Sequence, residues 1–268
     1  MISVIKIGGG IIEDQSSLSK FLESFSKIEG KKILIHGGGR VATNIAKKLG
    51  IESKMIDGRR VTDDATLEVV TMVYGGLANK TIVAGLQALK VNAIGLTGAD
   101  GNVIQAHKRS GWEHDFGWVG DVDGVNAELL HTLIKSGLVP VIAPLTHDGA
   151  GHMLNTNADT IASEVAKAMS TIEETQLILG FELDGVMKNP KDSSTLISSI
   201  NKSEYENYKA NGTITDGMIP KMDNAFKAIA HGVSSVRICH ALKVGENGGT
   251  VIQSVSYTHL TLPTNREV

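Results

Sequence analysis

Apolar residues along this chain follow two rhythms that alternate. Short β-branched runs predict strands at Ile2–Ile7, Lys32–His36, Val91–Leu96, Pro140–Ala143, Thr175–Leu179 and Ser235–Cys239, and "GGTVIQS" predicts a closing strand near the end. Longer stretches between them carry apolar residues at helical spacing. In "SSLSKFLESFSKI", Leu18, Phe21, Leu22, Phe25 and Ile28 share one helix face. The segment "DDATLEVVTMVYGGLANKTIVAGLQALK" predicts a long helix, with Thr62 as its N-cap and Asp63 and Asp64 in its first turn. A further helix is predicted to begin near Asn157–Asp159. Another carries Asp216 as cap, Pro220 in its first turn, and Met222, Phe226 and Ile229 on its buried face. Strands apolar on both faces, alternating with helices, predict an α/β fold whose mainly parallel sheet is covered on both sides.

Two regions break the alternation. Residues 107–126 read as hairpin and loop, with Trp112 and Trp118 beside turn residues. Residues 188–217 are polar and turn-rich, and are expected to form a mobile flap. The last stretch, "VSYTHLTLPTNREV" at 255–268, continues neither rhythm and reads as a disordered or foreign tail. A boundary near Ser170 divides an N-terminal lobe, 1–170, from a C-terminal lobe, 171–254. No repeat or low-complexity tract is visible.

Composition narrows the classes. A chain of 268 residues, 41% hydrophobic and 21% charged, can bury a sizeable core. A net charge of −3 predicts no nucleic-acid partner. No run of 18 apolar residues and no signal peptide are seen, so no membrane partner is expected. The lone Cys239 fits a reducing, cytoplasmic setting.

The chemistry gathers at the predicted carboxyl ends of strands, where parallel sheets bind ligands. "VIKIGGGII" and "ILIHGGGRV" each end a strand in three glycines. Such turns bring backbone amides close to an anion, although each could be only a tight turn. Neither triplet is a P-loop or a complete dinucleotide fingerprint. Lys6 lies inside an apolar strand, either snorkelling at an edge or presenting an ammonium to phosphate. Asn155, Asn157 and Asp159 enter one helix on alternate residues. Lys221 sits in the first turn of another, where the helix dipole opposes a cation and an anionic ligand would favour one. Arg59 and Arg60 can grip a carboxylate. His36 needs no catalytic role and reads as a packing or hydrogen-bonding residue. Together these residues point to phosphoryl transfer onto an acidic small molecule. A dinucleotide-dependent dehydrogenase is the competing class from the glycine turns alone, and a ligand-binding regulator is the non-enzymatic one.

"IKIGGG", "HGGG", "GRRVT", "LTGADGN", "LNTNADTIA" and "ITDGMIPKMDNA", in this order over about residues 2–252, resemble the amino-acid kinase family. The resemblance implies a three-layer αβα sandwich with an open, mainly parallel sheet of about eight strands. It implies an N-terminal lobe that binds an acylated amino acid and dimerises, and a C-terminal lobe that binds MgATP. The implied activity is ATP-dependent phosphorylation of the γ-carboxylate of N-acetyl-L-glutamate in arginine biosynthesis, with N-succinylglutamate, another acyl amino acid, or an unacylated amino acid or carbamate as alternative acceptors. Lys6 and Lys221 match the lysines that stabilise the transferring phosphoryl group, and Asp159 matches the residue that holds them. Gly38, Gly39, Arg60 and Asn155 match acceptor-binding positions. Gly8, Gly9, Glu182, Gly217 and Met218 fall at phosphate or nucleotide positions. Magnesium is implied to arrive on ATP, with no protein metal site. The chain starts at its first strand, without the N-terminal helix of arginine-inhibited hexameric relatives, so a homodimer insensitive to arginine is expected.

Overall fold

The computed structural model describes residues 1–56, 59–111, 113–189, 192–214 and 218–253. In chain order the strands are β1 (Ile2–Ile7), β2 (Lys31–His36), β3 (Met55–Ile56), β4 (Arg59–Arg60), β5 (Ala93–Leu96), β6 (Ile104–Lys108), β7 (Gly120–Val125), β8 (Val139–Ile142), β9 (Leu145–His147), β10 (Met153–Asn155), β11 (Thr175–Phe181), β12 (Ser199–Ile200), β13 (Ser235–His240) and β14 (Thr250–Gln253). The helices are α1 (Gly9–Glu13), α2 (Gln15–Ser26), α3 (Gly39–Lys48), α4 (Asp64–Val70), α5 (Asn79–Ala88), α6 (Ala127–Lys135), α7 (Ala158–Ser170), α8 (Lys202–Ala210) and α9 (Ile219–Ala230). A π-helical stretch, Thr71–Ala78, joins α4 to α5.

Eight strands form one sheet in the order β12-β14-β13-β11-β1-β2-β8-β5, parallel throughout except between β13 and β14. A smaller sheet, β10-β9-β6-β7, and the β3-β4 pair stand apart from it. The expected mainly parallel sheet is therefore present. Short β12 escapes the sequence reading because two residues carry no period.

Strand β1 occupies the sheet interior, between β11 and β2, so all six residues are buried. Alternation sends Ile2 and Val4 into one core with Ile161, Val165 and Met169 of α7 and Met222 of α9. Ile5 and Ile7 go to the other face, against Phe21 and Phe25 of α2 and Ile82 and Leu86 of α5. Lys6 falls on the α7 face by the same period of two. This central placement removes the edge-strand explanation for it.

Two expectations are corrected. Asp63, not Thr62, caps α4, its carboxylate accepting the Thr66 amide at 2.9 Å. Thr62 is fully buried and bridges Gly117 instead. The polar segment 188–217 does not form a bare flap: it holds β12 and the capped helix α8, whose Tyr205 is fully buried and stacks on Phe226. Two tyrosines, Tyr205 and Tyr208, on an otherwise polar helix carry too little periodic signal to reveal that docking. By length and composition alone, Asp64–Ala88 is long and apolar enough to cross a membrane. Val69, Val70, Val73, Ile82 and Leu86 of this run are buried inside the fold. Trp112, Asp216 and the tail at 255–268 lie outside the described residues.

Candidate active site

Two cavities open at the carboxyl ends of the parallel strands. The first, about 490 Å³, is bounded by Lys6, Gly8, Gly9, Phe181, Glu182 and Met218. The second, about 510 Å³, is bounded by Gly37, Gly38, Arg60, Tyr74, Arg109 and Asn155. They share three residues, Gly39, Asp159 and Lys221. Each shared residue lies in the first turn of a helix: α3, α7 and α9 respectively. Three positive helix ends thus converge where the cavities meet, a setting that favours negative charge.

The glycine turns are packed backbone to backbone. A Cβ on Gly37 would lie 2.9 Å from the Gly9 nitrogen, and one on Gly9 would lie 3.2 Å from the nitrogens of Gly38 and Gly39. The two triplets are therefore halves of one structure, joined by the Gly37 amide donating to the Ile7 carbonyl at 3.0 Å. A side chain at Gly37 or Gly9 would push the two turns apart.

Lys6 meets Asp159 across the α7 face, Nζ to Oδ1 at 2.7 Å, with the lysine side chain 8% exposed and the aspartate 28%. Asn157 caps α7 by accepting the amides of Asp159 and Thr160, which fixes where α7 begins and so where Asp159 stands. Lys221 reaches the same place from α9, its ammonium 3.7 Å from the centroid of the Phe181 ring. Lys6 is 5.5 Å from that ring. Phe181 is thus a shared platform for two ammonium groups. Burial holds the Lys221 pKa below the usual lysine value; Asp159 and Glu182 act against this shift and Lys6 adds to it.

Glu182 borders the first cavity and faces Arg40 at 3.4 Å, an exposed pair across the cavity mouth. Arg60 is held by Ser53 Oγ at 2.7 Å, the Gly39 carbonyl at 3.0 Å and Thr43 Oγ1 at 2.8 Å. Asn155 donates to Thr62 Oγ1 at 3.0 Å. These contacts fix both polar heads on the second cavity wall. Of the residues singled out from sequence, Lys6, Gly8, Gly9, Glu182 and Met218 border the first cavity. Gly38, Arg60 and Asn155 border the second, and Gly39, Asp159 and Lys221 both. Gly217 lies outside the described residues.

Sequence reasoning missed Phe181, Tyr74 and Arg109. Phe181 lies beyond the predicted end of its strand at Leu179, and Tyr74 reads as part of an apolar helix. Arg109 was hidden in the hairpin; its guanidinium makes a two-pronged bond to Asp121, with Nε to Oδ2 at 3.0 Å, and holds that carboxyl below its usual range. Burial raises the Tyr74 pKa above the ordinary phenol value.

His36 ends β2 fully buried, and burial pushes its pKa down to about 4. Between an unfolded pKa near 6.5 and about 4, the unfolded chain binds a proton that the folded chain refuses. Stability therefore falls as pH drops through that window, by about 3 kcal/mol in all. Urea unfolding at pH 7 and pH 4.5 checks this: the His36→Asn variant should lose less stability than the unaltered chain over that interval.

Residues 1–240 match the model of the amino acid kinase family. Acetylglutamate kinase of Bacteroides fragilis is 56% identical over 252 residues, 94% of this chain and 97% of that protein. Among solved structures, smu.665 of Streptococcus mutans superposes with a TM-score of 0.76 at 28% identity, covering 94% of this chain and 98% of that one. An N-acetylglutamate synthase of Neisseria gonorrhoeae, complexed with coenzyme A and N-acetyl-glutamate, superposes at 0.81 with 20% identity, over 96% of this chain and 60% of that one.

Proposed function

Because the chain belongs to the amino acid kinase family, we propose that it transfers the γ-phosphoryl group of ATP to the γ-carboxylate of N-acetyl-L-glutamate, a step of arginine biosynthesis. The observation that carries this reading is the meeting of two cavities at Gly39, Asp159 and Lys221. One cavity has glycine amides and two lysines suited to polyphosphate. The other has Arg60 and Asn155 suited to the α-carboxylate and amide of an acyl amino acid.

In the reaction a γ-carboxylate oxygen forms a bond to the γ-phosphorus as the bond to the bridging oxygen breaks and ADP leaves. The acceptor is already ionised at neutral pH, so no base is required. Reactant carboxylate and phosphate repel each other, and charge spreads over the transferring oxygens. The work left to the protein is alignment and charge stabilisation. Lys6 and Lys221 supply the cations, and Asp159 holds Lys6 while remaining within electrostatic reach of Lys221. Magnesium carried by the nucleotide would neutralise part of the phosphate charge beside Lys6 and Lys221. The carboxylates bordering the first cavity, Asp159 and Glu182, each face a protein cation, Lys6 and Arg40, which fits a metal carried by the nucleotide rather than by the chain.

The lobe division at Ser170 is supported by the cavity walls. The second cavity draws mainly on residues before that point, whereas the far wall of the first comes from β11, Met218 and Ile238. Two chains are proposed to pair across the Asp64–Ala88 run, where Met72 and Leu77 are 56% and 53% exposed. A cytoplasmic location suits the single buried thiol, Cys239.

A hydroxylamine-trapping assay tests the function directly, because the acyl phosphate product becomes a coloured hydroxamate. ATP-dependent product is expected with N-acetylglutamate and not with free glutamate. N-succinylglutamate belongs in the same assay: Arg59 and Arg109 join Arg60 on the second cavity wall, so an acyl carboxylate would also meet cations. No turnover with any acyl amino acid would overturn the kinase reading.

A further inference from the structure

Two buried polar side chains stand behind the second glycine turn and take no part in the reaction. His36 and Asn79 are 0% and 1% exposed. Apolar side chains would fill the space without the desolvation that these groups require. Their hydrogen bonds form a continuous path. Asn79 Nδ2 lies 2.9 Å from the Val141 carbonyl and 3.1 Å from His36 Nε2. His36 Nδ1 lies 2.7 Å from the Gly37 carbonyl. Asn79 Oδ1 accepts from Lys80 Nζ at 3.1 Å, and the same ammonium donates to the Gly95 carbonyl at 3.2 Å.

This path has only one consistent polarity. The Lys80 ammonium can only donate, so the Asn79 oxygen must face it. The Asn79 nitrogen then donates both to Val141 and to His36. His36 must accept at Nε2 and carry its proton on Nδ1, where it donates to Gly37. The ring is therefore neutral, as its burial also favours. Gly95 has no side chain for a matching reason: its Cβ would lie 1.9 Å from Asn79 Oδ1.

The Gly37 carbonyl shares a rigid peptide plane with the Gly38 amide, so fixing one fixes the direction of the other. Gly38 borders the second cavity. A second grip comes from the same helical run. Tyr74 lies in the π-helical stretch and Asn79 directly follows it, five residues on. The wider turn of a π-helix lets residues at that spacing share a side. A Cβ on Gly38 would lie 2.7 Å from Tyr74 Cδ1, so the ring packs where a side chain would stand.

We propose that His36 and Asn79 are positioning residues that hold the Gly37–Gly39 turn in the shape that receives the acceptor substrate. The proposal rests on reading the second cavity as the acceptor site. It predicts a split between the two substrates that general loss of packing would not produce.

The test compares three variants with the unaltered enzyme. His36→Gln keeps a polar group near Asn79 but loses the donor to Gly37, and Asn79→Ala removes the support behind the ring. Each should raise KM for N-acetylglutamate about tenfold or more, with KM for ATP within about twofold. His36→Asn places a donor near the Nδ1 position and should restore most of the acceptor KM. Equal changes in both KM values, or no change in acceptor KM, would overturn the proposal.

Should the variants fail to fold, nitrogen NMR of 15N-histidine-labelled wild-type protein decides the matter. One neutral imidazole protonated at Nδ1 and not titrating between about pH 5.5 and 8 is expected. Failure to find one such ring among the nine histidines would overturn the path. Absence of turnover by the unaltered enzyme would instead strike the kinase reading, and the NMR result would still decide the hydrogen-bond path.

Discussion

Replacing Lys221 with alanine should lower kcat by about 10²- to 10³-fold, the scale seen when one preorganised donor to developing charge is removed. KM for ATP and acceptor should move only a few fold. The distinction follows from position. Lys221 borders both cavities, so in the proposed reaction it would lie where the phosphoryl group travels and not where either substrate is chiefly anchored. Its attraction grows as charge spreads over the transferring oxygens, and such an interaction appears in kcat. Lys6→Ala should behave alike, with an added stability loss because Asp159 would keep its charge without its partner.

The same lysine predicts a pH profile. Burial lowers the Lys221 pKa from its ordinary value near 10.5, so the useful charged form is lost on an alkaline limb below that value in kcat/KM. Bound phosphate favours the charged ammonium, so the limb should move upward in kcat. Its sign in stability is opposite: between the folded and unfolded pKa values the unfolded chain binds more protons, and stability rises with pH. A mainly altered KM in Lys221→Ala, or an alkaline limb unchanged by that substitution, would contradict the assigned role.

Much of this site was legible because its chemistry is local in sequence. Lys6 stands out as the one charge in an apolar strand, and its period of two already assigns it a sheet face. Asn157 and Asp159 announce a helix start, and Lys221 contradicts the dipole of its own helix. What was hidden depends on tertiary approach. The docking of Gly37 against Gly9 is invisible in either triplet alone. Phe181 becomes a cation platform only when β11 lies beside β1 and α9, packed against α7, brings Lys221 over the ring. Tyr205 shows the same limit from the packing side: its helix is polar, and only contact with Phe226 makes it a core residue. The error at Thr62 has a local cause, since threonine and aspartate are both good caps; what decided the outcome was the bridge to Gly117, 55 residues away in the hairpin region.

Asp159→Asn should separate electrostatics from shape. The substitution preserves size and leaves the Asn157 cap in place, but it removes the negative charge beside Lys6. Breaking a fully buried pair costs about 3–5 kcal/mol. Asp159 is a quarter exposed and faces a cavity, so about 2 kcal/mol is the appropriate scale here. For a chain of this size that corresponds to a fall in Tm of about 4–8 °C. The substitution should lower kcat by about tenfold or more, because the ammonium groups lose the group that orients them. ATP binding should not weaken, since the cavity becomes more positive. The variant also makes the cause testable without turnover: sulfate should raise its Tm more than that of the unaltered chain, an anion taking the place of the missing carboxylate between the two lysines. Unchanged kcat would deny Asp159 its orienting role. An equal sulfate response in both proteins would show that the lost stability came from packing rather than from unpaired charge.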